Sequence, residues 1–403
     1  MKNRVYLDHN ATTPLDADLV SALISETSAG TGLLRQWGNP SSVHSYSRGP
    51  KSILRETRKK LADIYQAHPN DFIYNSGASE GNNTVFHSVW SAFKMTKPDY
   101  FISGVEHPSL MRAAEYLKTL GANIFVIPVN RQGQLDLDFL KQNISEKTAL
   151  VSVMFANNET GTIFPIQKII EIAKGHKVLV HSDCVQALGK CQLNFKDFDL
   201  SYATFSAHKF YGLKGSGVLY IKKSSPYTNL IFGGAQERFR RGGTENVLGI
   251  SSLGFMLDKY SQLPEKINSM QTLRNQMESE ILSSIKLVSM TAFDSPRLPN
   301  TSSLLIDGVD GEILLMSLDL DGFAVSTGAA CSSGSPEPSP VLLAMGLSRD
   351  EAQKSLRISL GWNTTLEQIS SFVKTLKICV DRIREANAAE KERETNNKVI
   401  GAL

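Results

Sequence analysis

The chain has 403 residues with 43 basic and 40 acidic side chains, a net charge of +3, 41% hydrophobic residues and four cysteines. That length supports one large core or two domains without disulfide staples. Cys184, Cys191, Cys331 and Cys379 include no CxxC pair, which argues for reduced thiols in a cytoplasmic protein rather than a secreted scaffold. The start, Met1-Lys-Asn-Arg-Val-Tyr-Leu-Asp8, has no signal-peptide pattern, and no apolar run approaches the roughly 18 residues of a membrane span. A near-neutral charge without a basic block gives no footprint for nucleic acid.

In chain order, short apolar runs alternate with segments of helical period between about 70 and 225, the pattern of βαβ units around a mostly parallel sheet. The runs expected to form strands are Phe72-Ile-Tyr, Tyr100-Phe-Ile, Ile124-Phe-Val-Ile, Ala149-Leu-Val-Ser-Val-Met, Val178-Leu-Val and Gly217-Val-Leu-Tyr-Ile. From about 250 a long helical stretch leads to Ser302-Ser-Leu-Leu-Ile, a helix near 311–320, a strand near Phe323-Ala-Val, Leu356-Arg-Ile-Ser-Leu and a final helix. This texture predicts a second, smaller α+β domain. Residues 381–395 hold nine charged side chains in fifteen and read as a solvated helix end running into a frayed tail. Residues 326–340 hold ten Ser, Gly or Pro in fifteen around Cys331, so that thiol is expected on a loop.

Three segments carry chemistry. Ser206-Ala-His-Lys209 follows an apolar strand and precedes Gly212, Gly215 and Gly217. A lysine there, partly desolvated, can form a Schiff base with a carbonyl or with pyridoxal phosphate; alone, it would read as a surface lysine in a turn. Val178-Leu-Val-His-Ser runs into Asp183 at a strand's carboxyl end, where a carboxylate can keep a pyridine nitrogen protonated. Gln186 can then donate to the ring's phenolic oxygen. Asn75 to Asn83 links a strand to a helix, so backbone N–H groups and the Ser79 hydroxyl can face an anion, without the spacing of a Walker A or dinucleotide loop.

Together with Tyr6-Leu-Asp-His-Asn-Ala-Thr-Thr-Pro14, Gly38-Asn-Pro-Ser-Ser-Val-His44, Ser76-Gly-Ala-Ser-Glu80, Glu106-His107, Asn157-Asn-Glu-Thr-Gly161, His181 to Gln186, Arg241-Gly-Gly-Thr244 and Ser326 to Val341, these segments resemble the class V pyridoxal-phosphate enzymes, specifically the cysteine desulfurases of the NifS/IscS type. The resemblance covers the chain up to about 385. It implies an α/β fold of the type I pyridoxal-phosphate class: a large domain over 16–262 with a mostly parallel seven-stranded sheet between helices, and a small α+β domain formed by 1–15 and 263–403.

By the same resemblance, Lys209 holds pyridoxal 5'-phosphate, Asp183 pairs with the ring nitrogen and Gln186 contacts the phenolate. His107 stacks on the ring and moves protons; its plain alternative is a helix-start residue before Pro108. Asn158 lies near cofactor and substrate. Ala78, Ser79, Ser206 and His208 form the phosphate cup, and Thr244 reaches the phosphate of the partner subunit, which implies a homodimer. Arg357, in the apolar strand Ser355-Leu-Arg-Ile-Ser-Leu360, binds the substrate carboxylate, with a structural salt bridge as the alternative. Cys331 takes sulfur from L-cysteine as a persulfide, leaving alanine, and passes it to a protein acceptor such as an iron–sulfur scaffold or thiol carrier. Selenocysteine lyase, another class V aminotransferase, and an idle scaffold on the same fold are the competing readings. Cys184 and Cys191 are too isolated for a metal site, and with Cys379 they read as small apolar residues.

Overall fold

The computed structural model describes residues 4–25, 32–328 and 337–400. Its strands, in chain order, are β1 (Val5–Tyr6), β2 (Phe72–Asn75), β3 (Asp99–Ser103), β4 (Asn123–Ile127), β5 (Thr148–Ser152), β6 (Leu179–Asp183), β7 (Tyr202–Ser206), β8 (Gly217–Ile221), β9 (Val288–Met290), β10 (Thr301–Ile306), β11 (Phe323–Ala324) and β12 (Ser355–Ser359). The large sheet has seven strands in the order β2-β8-β7-β6-β5-β3-β4. All its neighbours pair in parallel except β8, which runs antiparallel to both β2 and β7. Because β8 runs backwards, its first residue lies beside the last residues of its neighbours: Gly217 pairs with Asn75 on one side and Ser206 on the other.

All six expected runs of the large sheet form strands, with ends displaced by one or a few residues. The seventh strand, β7, is the apolar strand expected before Ser206-Ala-His-Lys209, although Thr204 and Ser206 interrupt its apolar run. Its five residues Tyr202-Ala-Thr-Phe-Ser are nonetheless all buried. Thr204 is tolerated there because its hydroxyl donates to Asn82 Oδ1 at 2.6 Å, and a buried hydroxyl costs little once it is bonded.

The helices that position the site start cleanly. The first is α1 (Ala17–Ile24), capped by the Asp16 side chain, and α2 (Arg48–Tyr65) follows it. Next, α3 (Ala78–Phe93) starts after Gly77, and α4 (Pro108–Thr119) has His107 as its cap and proline at its first position. After α5 (Leu137–Asn143) and α6 (Ile166–Gly175) come α7 (Val247–Asp258), capped by Asn246, and α8 (Leu263–Ser284). The last four are α9 (Gly311–Leu320), α10 (Pro340–Ala344), α11 (Arg349–Gln353) and α12 (Leu366–Ile400). Caps of this kind satisfy first-turn N–H groups, each worth about 1 kcal/mol.

The large sheet is buried on both faces, one under a cluster that includes Phe101, Val151, Phe205 and Phe210, the other under Ile73, Phe86, Tyr100, Ile102 and Leu150. A separate cluster joins Leu7 to Met277, Ile281, Leu304, Leu318, Ile358, Phe372 and Leu376 around β9, β10 and β12. One expectation is corrected at the C-terminus. The stretch from 381 is helical, as its reading as a helix end has it, but where a frayed tail was expected the helix runs on to Ile400. Helix-favouring Ala, Glu, Lys and Arg fill it, and ion pairs at i,i+4 spacing such as Lys377–Asp381 at 2.8 Å support the helix before it.

Candidate active site

Strand ends converge at one edge of the large sheet. Asp183 ends β6, buried, and its carboxylate accepts from Val185 N–H at 3.0 Å and from Asn82 Nδ2 at 2.9 Å. Asn82, fully buried on α3, donates also to Ser109 Oγ at 3.0 Å. Ser109 meets His107 Nδ1 twice, through its hydroxyl at 2.9 Å and its backbone N–H at 3.1 Å. A backbone N–H can only donate, so Nδ1 accepts and the neutral imidazole carries its proton on Nε2. Burial lowers the His107 pKa below the ordinary histidine value, with the Asp183 charge opposing and the Lys209 charge reinforcing. His107 is thus a helix cap, as its plain alternative has it, and lies near enough to Asp183 and Lys209 to feel both charges.

Lys209 closes a single 3-10 turn after β7. Its Nζ donates to the carbonyls of Asn10 and Ala11, both at 2.6 Å. Gln186 Nε2 donates to the same Asn10 carbonyl at 3.0 Å. The Asn10 side chain is equally engaged: Nδ2 donates to the Asn158 carbonyl at 3.0 Å and to Thr301 Oγ1 at 2.8 Å, while Oδ1 accepts from Lys190 at 2.9 Å. One asparagine near the start of the chain therefore ties Lys209, Gln186, Asn158 and β10 together.

Arg357 lies in the middle of β12 at 3% exposure. One terminal nitrogen donates to Asp8 Oδ1 at 2.7 Å, the other to the Asn158 carbonyl at 3.3 Å, and Nε has no bond partner among the described residues. The salt bridge left open by the sequence is present, and it leaves the guanidinium with a donor to spare. Beside it, Glu159 is fully desolvated, which pushes its carboxyl up to about 7 against the pull of the Ser339 hydrogen bond and the Arg357 charge. Glu106 is pushed up by burial to about 8, although Ser103 Oγ and Met154 N–H both donate to it.

The segment after β2 offers an anion site. Gly77 precedes α3 at φ +150° and supplies no capping side chain, so the first-turn N–H groups around Ala78 and Ser79 are not used by a cap. A side chain at Gly217 would lie 2.5 Å from Gly77 Cα, so that glycine lets the turn close against β8. Ser206 is buried at the end of β7, and His208 Nδ1 lies 3.0 Å from Thr12 Oγ1. Burial and then the charges of Lys209, Lys214 and Lys190 hold His208 neutral, its pKa lowered to about 4. Thr244 is exposed in a cleft shared with Asn75, Ser76 and Arg241, without a hydrogen bond to Asp183, Gln186 or His107 among the described residues.

Cys331 and its neighbours 329–336 lie outside the described residues. The other thiols are poor nucleophiles: burial raises Cys184 well above the ordinary range, Cys191 to about 12 and Cys379 to about 11. Sequence reasoning assigned no role to Asp8, Asn10, Asn82, Ser109, Glu159 or Lys190. Asp8, Asn10, Asn82 and Glu159 stand inside quoted segments; Ser109 and Lys190 gave no local signal.

Residues 5–372 match the model of the aminotransferase class-V family. The chain is 37% identical over 399 residues to the cysteine desulfurase IscS of Dictyoglomus turgidum, covering 99% of this chain and 100% of that protein. Among solved structures, a NifS-like protein superposes with a TM-score of 0.85 at 33% identity, covering 94% of this chain and 99% of the other. SspA in complex with cysteine superposes at 0.75 with 26% identity, covering 88% and 98%. On sequence and fold alike, the chain belongs to the aminotransferase class-V family, in the branch of the IscS and NifS cysteine desulfurases.

Proposed function

We propose that the protein is a pyridoxal-phosphate-dependent cysteine desulfurase that takes sulfur from L-cysteine, releases L-alanine and carries the sulfur as a persulfide on Cys331. The observation that carries this reading is that Asn10 and Asn158 tie the Lys209 amine to the partly unpaired Arg357 guanidinium, while the buried Asp183 carboxylate and Lys209 both act on His107. The residues suit the cofactor's three handles: an uncapped helix start for a phosphate, a buried carboxylate for a protonated ring nitrogen, and an amine for the aldehyde carbon. When bound, the cofactor draws electron density from the substrate's α-carbon.

Each side chain then has a task. Lys209 holds the cofactor and takes the proton from the substrate's α-carbon. Asp183, fixed by Asn82 and Val185, keeps the ring nitrogen protonated, and Gln186 donates to the phenolate. Ala78, Ser79, Ser206 and His208 hold the phosphate. The neutral His107 would flank the ring, and with its proton on Nε2 it is set to donate towards the substrate. Arg357 and Asn158 take the substrate carboxylate, and the Cys331 thiolate attacks the substrate sulfur as the Cβ–S bond breaks.

Thr244 serves the partner subunit's phosphate in a homodimer. Exposed aromatics on the segments near it support that assembly: Phe232 and Phe239 are 78% and 71% exposed, and Trp37 stacks on Tyr46 at the surface. The two-domain division at 16–262 against 1–15 with 263–403 belongs to the same proposal, supported by the separate cluster around Leu7 and Phe372. No helix among the described residues is long and apolar enough to cross a membrane, and the proposed location is the cytoplasm, with an iron–sulfur scaffold or thiol carrier receiving the sulfur.

Protein purified with pyridoxal phosphate is expected to show a visible absorption band and to release alanine and sulfide from L-cysteine under reducing conditions. Mass spectrometry after adding L-cysteine without reductant should find one extra sulfur on Cys331. A colourless protein that takes up no cofactor, or a Cys331→Ala variant that still turns over cysteine at the original rate, overturns the proposal.

A further inference from the structure

Lys190, in the turn after β6, is 5% exposed and fully desolvated, yet among the described residues no carboxylate pairs with it. Its ammonium donates to two neutral amide oxygens, Asn10 Oδ1 at 2.9 Å and Gln186 Oε1. The neighbouring charges of Lys209 and Arg357 have its own sign, and with burial they depress its basicity. Burying a cation without an anion is costly, and a methionine would fill the same space without that cost. The cost demands a role that an apolar side chain could not fill.

Amide chemistry supplies one. An ammonium can only donate and the Asn10 carbonyl can only accept, so the atom facing Lys190 on Gln186 is the oxygen and the one facing Asn10 is the nitrogen, and the orientation of the amide is fixed. The Gln186 nitrogen is thereby turned to the Asn10 carbonyl, the acceptor that Lys209 Nζ also uses. In pyridoxal phosphate the phenolic oxygen is adjacent to the carbon that bears the aldehyde, so a donor beside Lys209 Nζ is where that oxygen needs one. We propose that Lys190 is a positioning residue: it holds the Gln186 amide oxygen so that the amide N–H group is presented to the cofactor's phenolate, and it braces Asn10, the shared acceptor, through the same ammonium. This inference rests on the reading of Lys209, Asp183 and Gln186 as cofactor ligands.

The test is a pH titration of the visible band of the pyridoxal-phosphate-loaded protein without substrate. A phenolate that loses an N–H donor holds the proton it shares with the lysine-bound nitrogen more tightly, so the midpoint moves to higher pH. A hydrogen bond to a charged acceptor corresponds to a shift of about one pH unit. The midpoint of Lys190→Met should rise by about that much, Lys190→Gln should stay with the original protein because its amide restores the donor, and adding Lys190→Met to Gln186→Ala should change nothing beyond Gln186→Ala alone.

An unshifted Lys190→Met midpoint overturns the inference. So does a Lys190→Met shift that persists in full on the Gln186→Ala background, which would be a plain charge effect. If Lys190→Met does not fold, Lys190→Leu replaces it: the same rise in midpoint supports positioning, and an unshifted midpoint overturns it. Failure of the unmodified protein to take up the cofactor defeats the functional reading instead, so the two failures are distinct.

Discussion

Two buried regions of this molecule handle charge in opposite ways. On the flank of the large sheet, Arg58 meets Glu237 at 2.5 Å, packs over the Tyr74 ring at 4.6 Å, and the second Glu237 oxygen accepts from Tyr74 N–H at 3.0 Å. Arg241 grips Glu80 in a fork with both bonds near 3 Å. At the sheet edge, by contrast, Lys190 has only amides, Glu106 keeps an oxygen without a partner, and Arg357 retains a spare donor. In the first region Arg58 and Arg241 each have a carboxylate counter-ion, although Arg58 Nε, like Arg357 Nε, has no bond partner among the described residues, and these pairs help to hold the loop around Glu237, where three consecutive residues adopt positive φ. In the second the answers are incomplete, and the remaining capacity is available to a ligand. The flank should therefore fail in stability when broken, and the edge in chemistry.

The largest effect is expected from Lys209→Ala. Removal of a positioned proton-transfer group costs about 10²–10⁴ in rate, so alanine formation from cysteine should fall at least that far while the melting temperature of the protein free of cofactor stays close to the original. A large fall in that melting temperature would erase the contrast. Next, Glu237→Gln leaves the Arg58 charge buried without its counter-ion, a loss of about 3–5 kcal/mol. Urea unfolding should report it, with the pH midpoint of the visible band unmoved.

Arg357→Lys keeps the charge but loses the fork that can share a carboxylate with Asp8 and Asn158. Charge-assisted bonds of about 1.5–3 kcal/mol translate into a KM for cysteine raised at least about tenfold, with a smaller change in kcat. An unchanged KM would place Arg357 with the structural pairs of the flank. The smallest effect concerns Glu106. Its folded-state pKa of about 8 stands above that of the unfolded chain, so its contribution is fully present below about pH 4.5 and is lost as pH rises towards 8. Thermal unfolding from pH 5 to 8 should show declining stability, and Glu106→Gln should flatten that decline.

How much of this was readable beforehand follows the distance over which each group is satisfied. Strands such as Ile124 to Ile127 and Gly217 to Ile221 declare themselves in consecutive apolar residues. β7, expected only as the strand before the lysine segment, declares itself less clearly, because its Thr204 depends on Asn82, which is 122 positions away in sequence. Asp183 and Lys209 were visible because one ends β6 and the other follows β7 by a single turn, at the edge where an open α/β sheet collects ligands. Asn10 and Lys190 were not. The meaning of Asn10 arises from contacts with Asn158, Lys190 and Thr301, between 148 and 291 residues distant. Asp8 likewise went unassigned, because its partner Arg357 lies 349 residues along the chain. Pattern along the chain reports what neighbours in sequence do, and these residues act on neighbours in space.

The position of Asn10 has a consequence for biosynthesis. Its bonds reach Asn158, Thr301 and, through its backbone N–H, Ser359, between 148 and 349 residues further along the chain. Synthesis runs from the N-terminus and domains fold as they emerge, so the large sheet can form before Thr301 and Ser359 exist to anchor the segment whose carbonyl groups hold its lysine. The pocket is therefore completed only after β10 and β12 have been made, and its assembly is a late step in folding.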